Sequence, residues 1–214
     1  MKYGESTFDV VYLLFAVTLG ICILRKRKDA VGNLMGSAVL ILGCGDAFHL
    51  IPRVLNYFAA GNFTAPLGVG KLVTSVTMTV FYLLLYFLWL RAYGVREDKN
   101  LSRAIYVLTA LRVILCLFPQ NRWLENEGSV SWGVIRNVPF VILGAVIVCL
   151  YFKKRAEKPA LRNVWLFVTL SFLFYIPVAV GASLVPMLGM LMLPKTICYM
   201  LLIWAFWKYA GESN

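Results

Sequence analysis

Histidine, acidic residues and paired cysteines are what this chain has least of. Its 214 residues include one histidine, ten aspartates and glutamates, and five cysteines. No CxxC pair occurs and the cysteines lie in apolar runs, so neither a disulfide framework nor a zinc site is predicted. They are Cys22, Cys44, Cys116, Cys149 and Cys198. GxSxG, P-loop and HExxH motifs are also missing, and we expect no metal and no cofactor.

Charge is scarce as well. Charged residues make up 14% of the chain, whereas 61% of it is hydrophobic. A soluble domain of this length is excluded by that composition, which is typical of a polytopic membrane protein. The net charge of +11 would suggest nucleic acid in a soluble protein. In a membrane protein the same excess marks cytoplasmic loops, so no nucleic-acid partner is expected.

Apolar runs of about 20 residues, the length that spans a bilayer, occur seven times. Their connections are short, so the sequence predicts an all-α bundle of seven transmembrane helices forming one domain over residues 1–214. The predicted spans are 6–24, 30–56, 66–92, 101–119, 129–152, 160–184 and 187–209.

Basic residues concentrate on one side of the predicted spans. Fourteen of the 21 lie after the first, third, fifth and seventh spans, beginning with the cluster Arg25, Lys26, Arg27 and Lys28. By the positive-inside rule the N-terminus lies outside and the C-terminus in the cytoplasm. The expected location is the cytoplasmic membrane of a bacterium, with membrane lipids as partners.

Lys2 and Arg122 lie on the opposite side, which leaves five basic residues within the spans, at a similar depth in the outer leaflet, together with Asp46. They are Arg53, Lys71, Arg112, Arg136 and Lys195. An ionisable side chain near the centre of a bilayer costs at least about 2.5–3.5 kcal/mol, which makes it a functional candidate. Long side chains near helix ends can instead snorkel to the headgroups. Both readings stay open for the cations, but the Asp46 side chain is too short to snorkel.

Helical spacing places these residues on polar stripes. Asp46, His49 and Arg53 follow i, i+3, i+7, and Lys195 precedes Tyr199 by four. We predict a shared outward-facing cavity. Its ligand-binding candidates are Arg53, Lys71, Ser75, Arg112, Arg136, Asn137, Tyr175, Lys195 and Tyr199. One aspartate cannot neutralise five cations, so an anionic lipid or small molecule is the expected ligand.

Asp46 and His49, one turn apart, are the catalytic candidates, because they could form a hydrogen-bonded acid–base pair. Alternatively, Asp46 is a structural counter-ion for Arg112 or Lys195, and His49 only bridges neighbouring polar groups.

Two stretches, GDAFHLIPR and LGVGKLVTSVTMTVFYLLLYF, resemble the YhhN-like lysoplasmalogenase family. The resemblance implies a helical membrane bundle of about eight helices and hydrolysis of the vinyl-ether bond of lysoplasmalogens. Gly45 and Asp46 match its first acidic motif. Its second motif is Ser-Asp, whereas here Ser171 is followed by Phe172. The GDAFHLIPR and LPKT stretches also resemble small bacterial seven-helix membrane proteins.

Several functions fit this pattern. One is an outward pocket that binds an anionic lipid or small molecule, either without further chemistry or as a lipid-directed intramembrane hydrolase. A transporter or channel also fits, given charged residues inside kinked helices. A seven-helix photoreceptor fits too, with retinal bound to Lys195 and Asp46 as its counter-ion. The fourth function that fits is a receptor or assembly factor that carries out no chemistry.

Overall fold

The computed structural model describes residues 2–125, 129–181 and 185–212. Within these residues the chain is all-helical and contains seven α-helices and no strand. They are α1 (Lys2–Lys26), α2 (Ala30–Phe58), α3 (Thr64–Ala92), α4 (Lys99–Leu117), α5 (Val130–Lys153), α6 (Val164–Gly181) and α7 (Met192–Gly211). All seven, two of them extended by a 3-10 turn at their start, are long and apolar enough to cross a bilayer. The all-α prediction with seven candidate spans is confirmed, and it indicates a multi-pass membrane protein.

Aspartate side chains begin two of these helices. Asp29 caps α2, where its Oδ1 accepts a hydrogen bond from the Gly32 amide at 2.7 Å. Asp98 caps α4 by accepting from the amides of Asn100 and Leu101. Satisfying the free amides of the first turn stabilises a helix start. Helix α4 therefore begins two residues before the predicted position 101.

The last two spans begin later than predicted. A 3-10 turn, Pro159–Leu161, precedes α6, which begins at Val164 rather than at 160. Another 3-10 segment, Pro186–Leu191, precedes α7, which begins at Met192 rather than at 187. Proline lacks an amide hydrogen and suits the first turn of such segments. The predicted end of the sixth span, 182–184, lies outside the described residues.

Small residues let α2 and α3 pack with their backbones close together. A side chain on Gly70 of α3 would overlap the backbone of Phe48 and His49 on α2. A side chain on Gly45 of α2 would overlap Thr77 of α3. Glycine at such contacts allows transmembrane helices to approach closely. This pair of helices carries the candidate residues Asp46 and His49.

The two ends of the bundle can be identified from contacts between helices. At the end that contains the start of α1, the Tyr3 ring packs on Phe58 of α2. At the opposite end, Lys26 of α1 lies over the Trp207 ring of α7. We call these the amino-terminal and carboxy-terminal ends. Helix α7 contacts both α1 and α6 and so brings the first and last helices together.

Candidate functional site

A small polar cavity lies towards the amino-terminal end, between α1, α2, α3 and the start of α7. Its volume is about 70 Å³. The segment 189–193 supplies most of its apolar wall. Its polar wall is formed by Glu5, Asp9, Asp46, His49, Arg53, Thr74, Lys195 and Thr196. The predicted stripe of Asp46, His49 and Arg53 therefore faces one cavity, together with Lys195 from the last helix.

Asp46 is held by a tyrosine that sequence reasoning missed. The buried Tyr12 hydroxyl on α1 donates a hydrogen bond to Oδ2 of Asp46 at 2.7 Å. Among the described residues no hydrogen bond joins Asp46 to His49, whose buried Nδ1 has no partner there. The structure thus places both residues in the cavity wall without pairing them. Asp46 is oriented from α1.

Arg53 pairs with Asp9, a second residue that the sequence argument left out of the site. Its Nε and Nη2 donate to Oδ2 of Asp9 at 3.1 and 2.5 Å. Asp9 is 4% exposed, whereas a quarter of the Arg53 side chain is exposed. The spacing of Glu5, Asp9 and Tyr12 places all three on one stripe of α1, which is the signal that could have revealed them.

Lys195 is the most buried cation of the cavity, at 8% exposed. Its Nζ lies 4.9 Å from the centre of the Tyr175 ring and 5.4 Å from that of Tyr199. Asp46 attracts it electrostatically, although no ion pair within 4 Å joins them in the described part of the chain. Aromatic faces stabilise a cation but do not accept conventional hydrogen bonds as oxygen does. The ammonium group is therefore poised to bind an acceptor from the cavity.

A second polar cluster lies between α4 and α5. Its residues are not among the described residues that line the cavity. Arg112 is 2% exposed, donates to the backbone carbonyl of Arg136 and packs over the Phe140 ring. Arg136 donates to Oδ1 of Asn121 at 2.7 Å and stacks on Trp123. Both predicted ligand-binding arginines thus have partners within the protein.

The remaining predicted site residues include Asn137 and Tyr175, which link the two regions, and Lys71 and Ser75, which do not line the cavity. Asn137 donates to the Gly133 carbonyl and accepts a hydrogen bond from the Tyr175 hydroxyl at 2.8 Å. Tyr175 therefore connects the second cluster with Lys195. Lys71 is exposed, and the Ser75 hydroxyl donates to the Lys71 carbonyl in its own helix. The sequence predicted that Arg53, Lys71, Arg112, Arg136 and Lys195 surround one cavity. In the described part of the chain, Arg53 and Lys195 line the cavity and the other three do not.

Asn121, which sequence reasoning also missed, organises the second cluster. Its Nδ2 donates to the carbonyls of Leu115, Cys116 and Phe118, which end α4, while its Oδ1 accepts from Arg136. Its exposure is 1%. Asparagine side chains thereby satisfy carbonyls that the helix leaves unpaired.

Replacing Asn121 by alanine is expected to lower the free energy of unfolding by about 1–3 kcal/mol, because buried acceptors and a guanidinium lose their partner. Thermal unfolding in detergent measures the effect. Asn62→Ala is the matched control, because the exposed Asn62 side-chain oxygen accepts a local hydrogen bond from the Thr64 amide. Equal stability of the two variants would contradict the role given to Asn121.

Comparison of the chain with family models, characterised proteins and solved structures returned no match. The resemblance to the lysoplasmalogenase family therefore stays a prediction.

Proposed function

We propose that the cavity binds the anionic group of a lipid or small molecule, with Lys195 as the main ligand-binding residue. The observation that carries this proposal is the environment of the Lys195 ammonium group. It is buried, it faces the cavity, and ring faces are its close contacts among the described residues. A buried ammonium needs oxygen acceptors for its three hydrogens. An anionic oxygen in the cavity would supply them.

The other charged residues of the cavity restrict the class of ligand that can bind. Asp9 already neutralises Arg53, and Glu5 accepts a hydrogen bond from Tyr57. Lys195 and Asp46 are the other two charged residues of the cavity wall. Asp46 is an acceptor that Tyr12 satisfies in part. The ligand that complements both residues carries an anionic oxygen for Lys195 and a hydroxyl or ammonium donor for Asp46. Many phospholipid headgroups and small zwitterions have this pair of groups.

The size of the cavity limits what enters it. Pockets for drug-sized ligands measure about 300–1,000 Å³, whereas this cavity measures about 70 Å³. It can hold one small polar group or a few water molecules. We propose that a headgroup enters and that the rest of a lipid stays in the bilayer. If the protein is a hydrolase, Asp46 and His49 are the residues placed to act on water held in this cavity.

The proposal includes an orientation. The basic residues of the carboxy-terminal end assign that end to the cytoplasm by the positive-inside rule. The N-terminus then lies outside, and the cavity belongs to the outer leaflet of a bacterial cytoplasmic membrane.

Lys195→Met is the variant that tests the proposal. A hydrogen bond to a charged group contributes about 1.5–3 kcal/mol, so we expect retention of an anionic molecule to fall roughly 10–150-fold. Mass spectrometry of molecules that co-purify with the protein in detergent measures it. Lys208→Met is the matched control, because Lys208 is an exposed lysine at the other end of the same helix.

The expected result is that at least one anionic molecule is retained by the wild-type protein and by Lys208→Met and is lost from Lys195→Met. Equal retention of every anionic molecule by all three proteins, or no anionic molecule with the wild type, would contradict the proposal. Lys195→Gln serves the same purpose if Lys195→Met does not fold, because it removes the charge and keeps a polar side chain.

A further inference from the structure

Two connections distant in sequence meet at the carboxy-terminal end of α7. The Lys26 Nζ lies 4.4 Å from the centre of the Trp207 ring. The Arg27 guanidinium carbon and the Lys158 Nζ lie 4.9 and 5.9 Å from the centre of the Tyr209 ring. Lys26 and Arg27 belong to the α1–α2 region, and Lys158 precedes α6. We call Lys26, Arg27, Lys158, Trp207 and Tyr209 the α7-end cluster.

The charges of this cluster are only partly balanced. Asp29 accepts hydrogen bonds from Arg27 at 2.8 and 2.9 Å, and the Arg27 guanidinium holds the pKa of that carboxyl below its ordinary value. Arg27 also reaches the Tyr209 carbonyl at 3.4 Å. Lys26 and Lys158 form no ion pair within 4 Å with an acidic residue in residues 2–125, 129–181 or 185–212. Two ammonium groups thus lie without a carboxylate partner there.

The Lys26 ammonium group lies beside a glycine at the end of α7. A side chain on Gly211 would lie 2.9 Å from the Lys26 Nζ. Glycine at this position leaves room for the ammonium group at the end of the helix, where unpaired carbonyls favour a cation.

We propose that the α7-end cluster binds the phosphate of an anionic phospholipid. Tryptophan and tyrosine favour the level of the headgroups, and lysine stems pack on apolar surface while the ammonium groups reach phosphate oxygens. Basic sites between transmembrane helices recognise anionic headgroups in this way. At 1.5 Å per residue, Tyr209 lies about 21 Å along α7 from Lys195. This site is therefore distinct from the cavity.

Native mass spectrometry of the protein from nanodiscs of equimolar phosphatidylglycerol and phosphatidylcholine tests the proposal. We expect the wild-type protein to retain phosphatidylglycerol in preference to phosphatidylcholine. Lys26→Met with Lys158→Met should reduce that preference roughly 30-fold, at about 5-fold for each cation. Arg91→Met with Lys99→Met is the matched control, because it removes two exposed cations from the same end.

A preserved preference in the control pair and in Lys195→Met supports a site at the α7-end cluster that is independent of the cavity. An equal loss in the control pair would show an effect of overall charge and overturn the proposal. So would a wild-type protein without the preference. If the double variant does not fold, Lys158→Met alone should reduce the preference about 5-fold.

Discussion

Asp9→Leu is expected to lower the free energy of unfolding by about 3 kcal/mol. Removing one member of a buried ion pair costs about 3–5 kcal/mol, because the other charge stays buried without compensation. Asp9 is almost fully buried, whereas Arg53 keeps a quarter of its side chain exposed. Water that reaches Arg53 reduces the loss, which places the estimate at the lower end of that range. Unfolding by heat and by SDS in detergent micelles measures the loss.

The double variant Asp9→Leu with Arg53→Met separates the ion pair from other effects of the substitution. Replacing both charges by apolar groups is often neutral or stabilising, so most of the lost stability should return. Glu5→Leu is the control on the same helix, because Glu5 is less buried and accepts a hydrogen bond from Tyr57. A double variant as unstable as Asp9→Leu itself would show that the pair does not account for the loss.

Gly70→Leu is expected to prevent recovery of folded protein. The new side chain would overlap the backbone of Phe48 and His49, and α2 and α3 would have to separate. Gly70→Ala meets the same backbone with one methyl group, and we expect it to destabilise the protein by about 1–3 kcal/mol. The direction of this change in stability is informative, because replacing glycine by alanine inside a helix otherwise stabilises a protein by roughly 1 kcal/mol.

Gly4→Ala and Gly4→Leu are the matched controls for this contact. Gly4 also lies in a helix, and nothing lies within 4 Å of the position that its side chain would occupy. Size-exclusion chromatography and thermal unfolding compare the four variants. A folded Gly70→Leu protein with wild-type stability would refute the close approach of α2 and α3. The same separation would move Asp46 and His49 relative to α1, so any ligand retention should fall with it.

The sequence by itself determined the seven helices and the membership of the polar stripe on α2. Membrane-spanning segments can be predicted from the sequence because the bilayer core requires about 20 apolar residues in each one. Asp46, His49 and Arg53 share a stripe because the period of the helix alone decides which residues face the same way. All three indeed line the same cavity. Applied to α1, the same spacing would have placed Asp9 and Tyr12 on one stripe.

Only the tertiary structure decided which charge meets which partner. It pairs Arg53 with Asp9, directs Arg112 to a backbone carbonyl, and leaves Lys195 facing the cavity between two tyrosine rings. Helical periodicity relates residues within one helix, but it does not specify how far that helix rotates against its neighbours. That rotation is set by contacts between helices, such as Gly70 against α2 and Asn121, at the end of α4, with Arg136 of α5. Those contacts, and with them the separation of the cations into two regions, depend on the packed bundle as a whole.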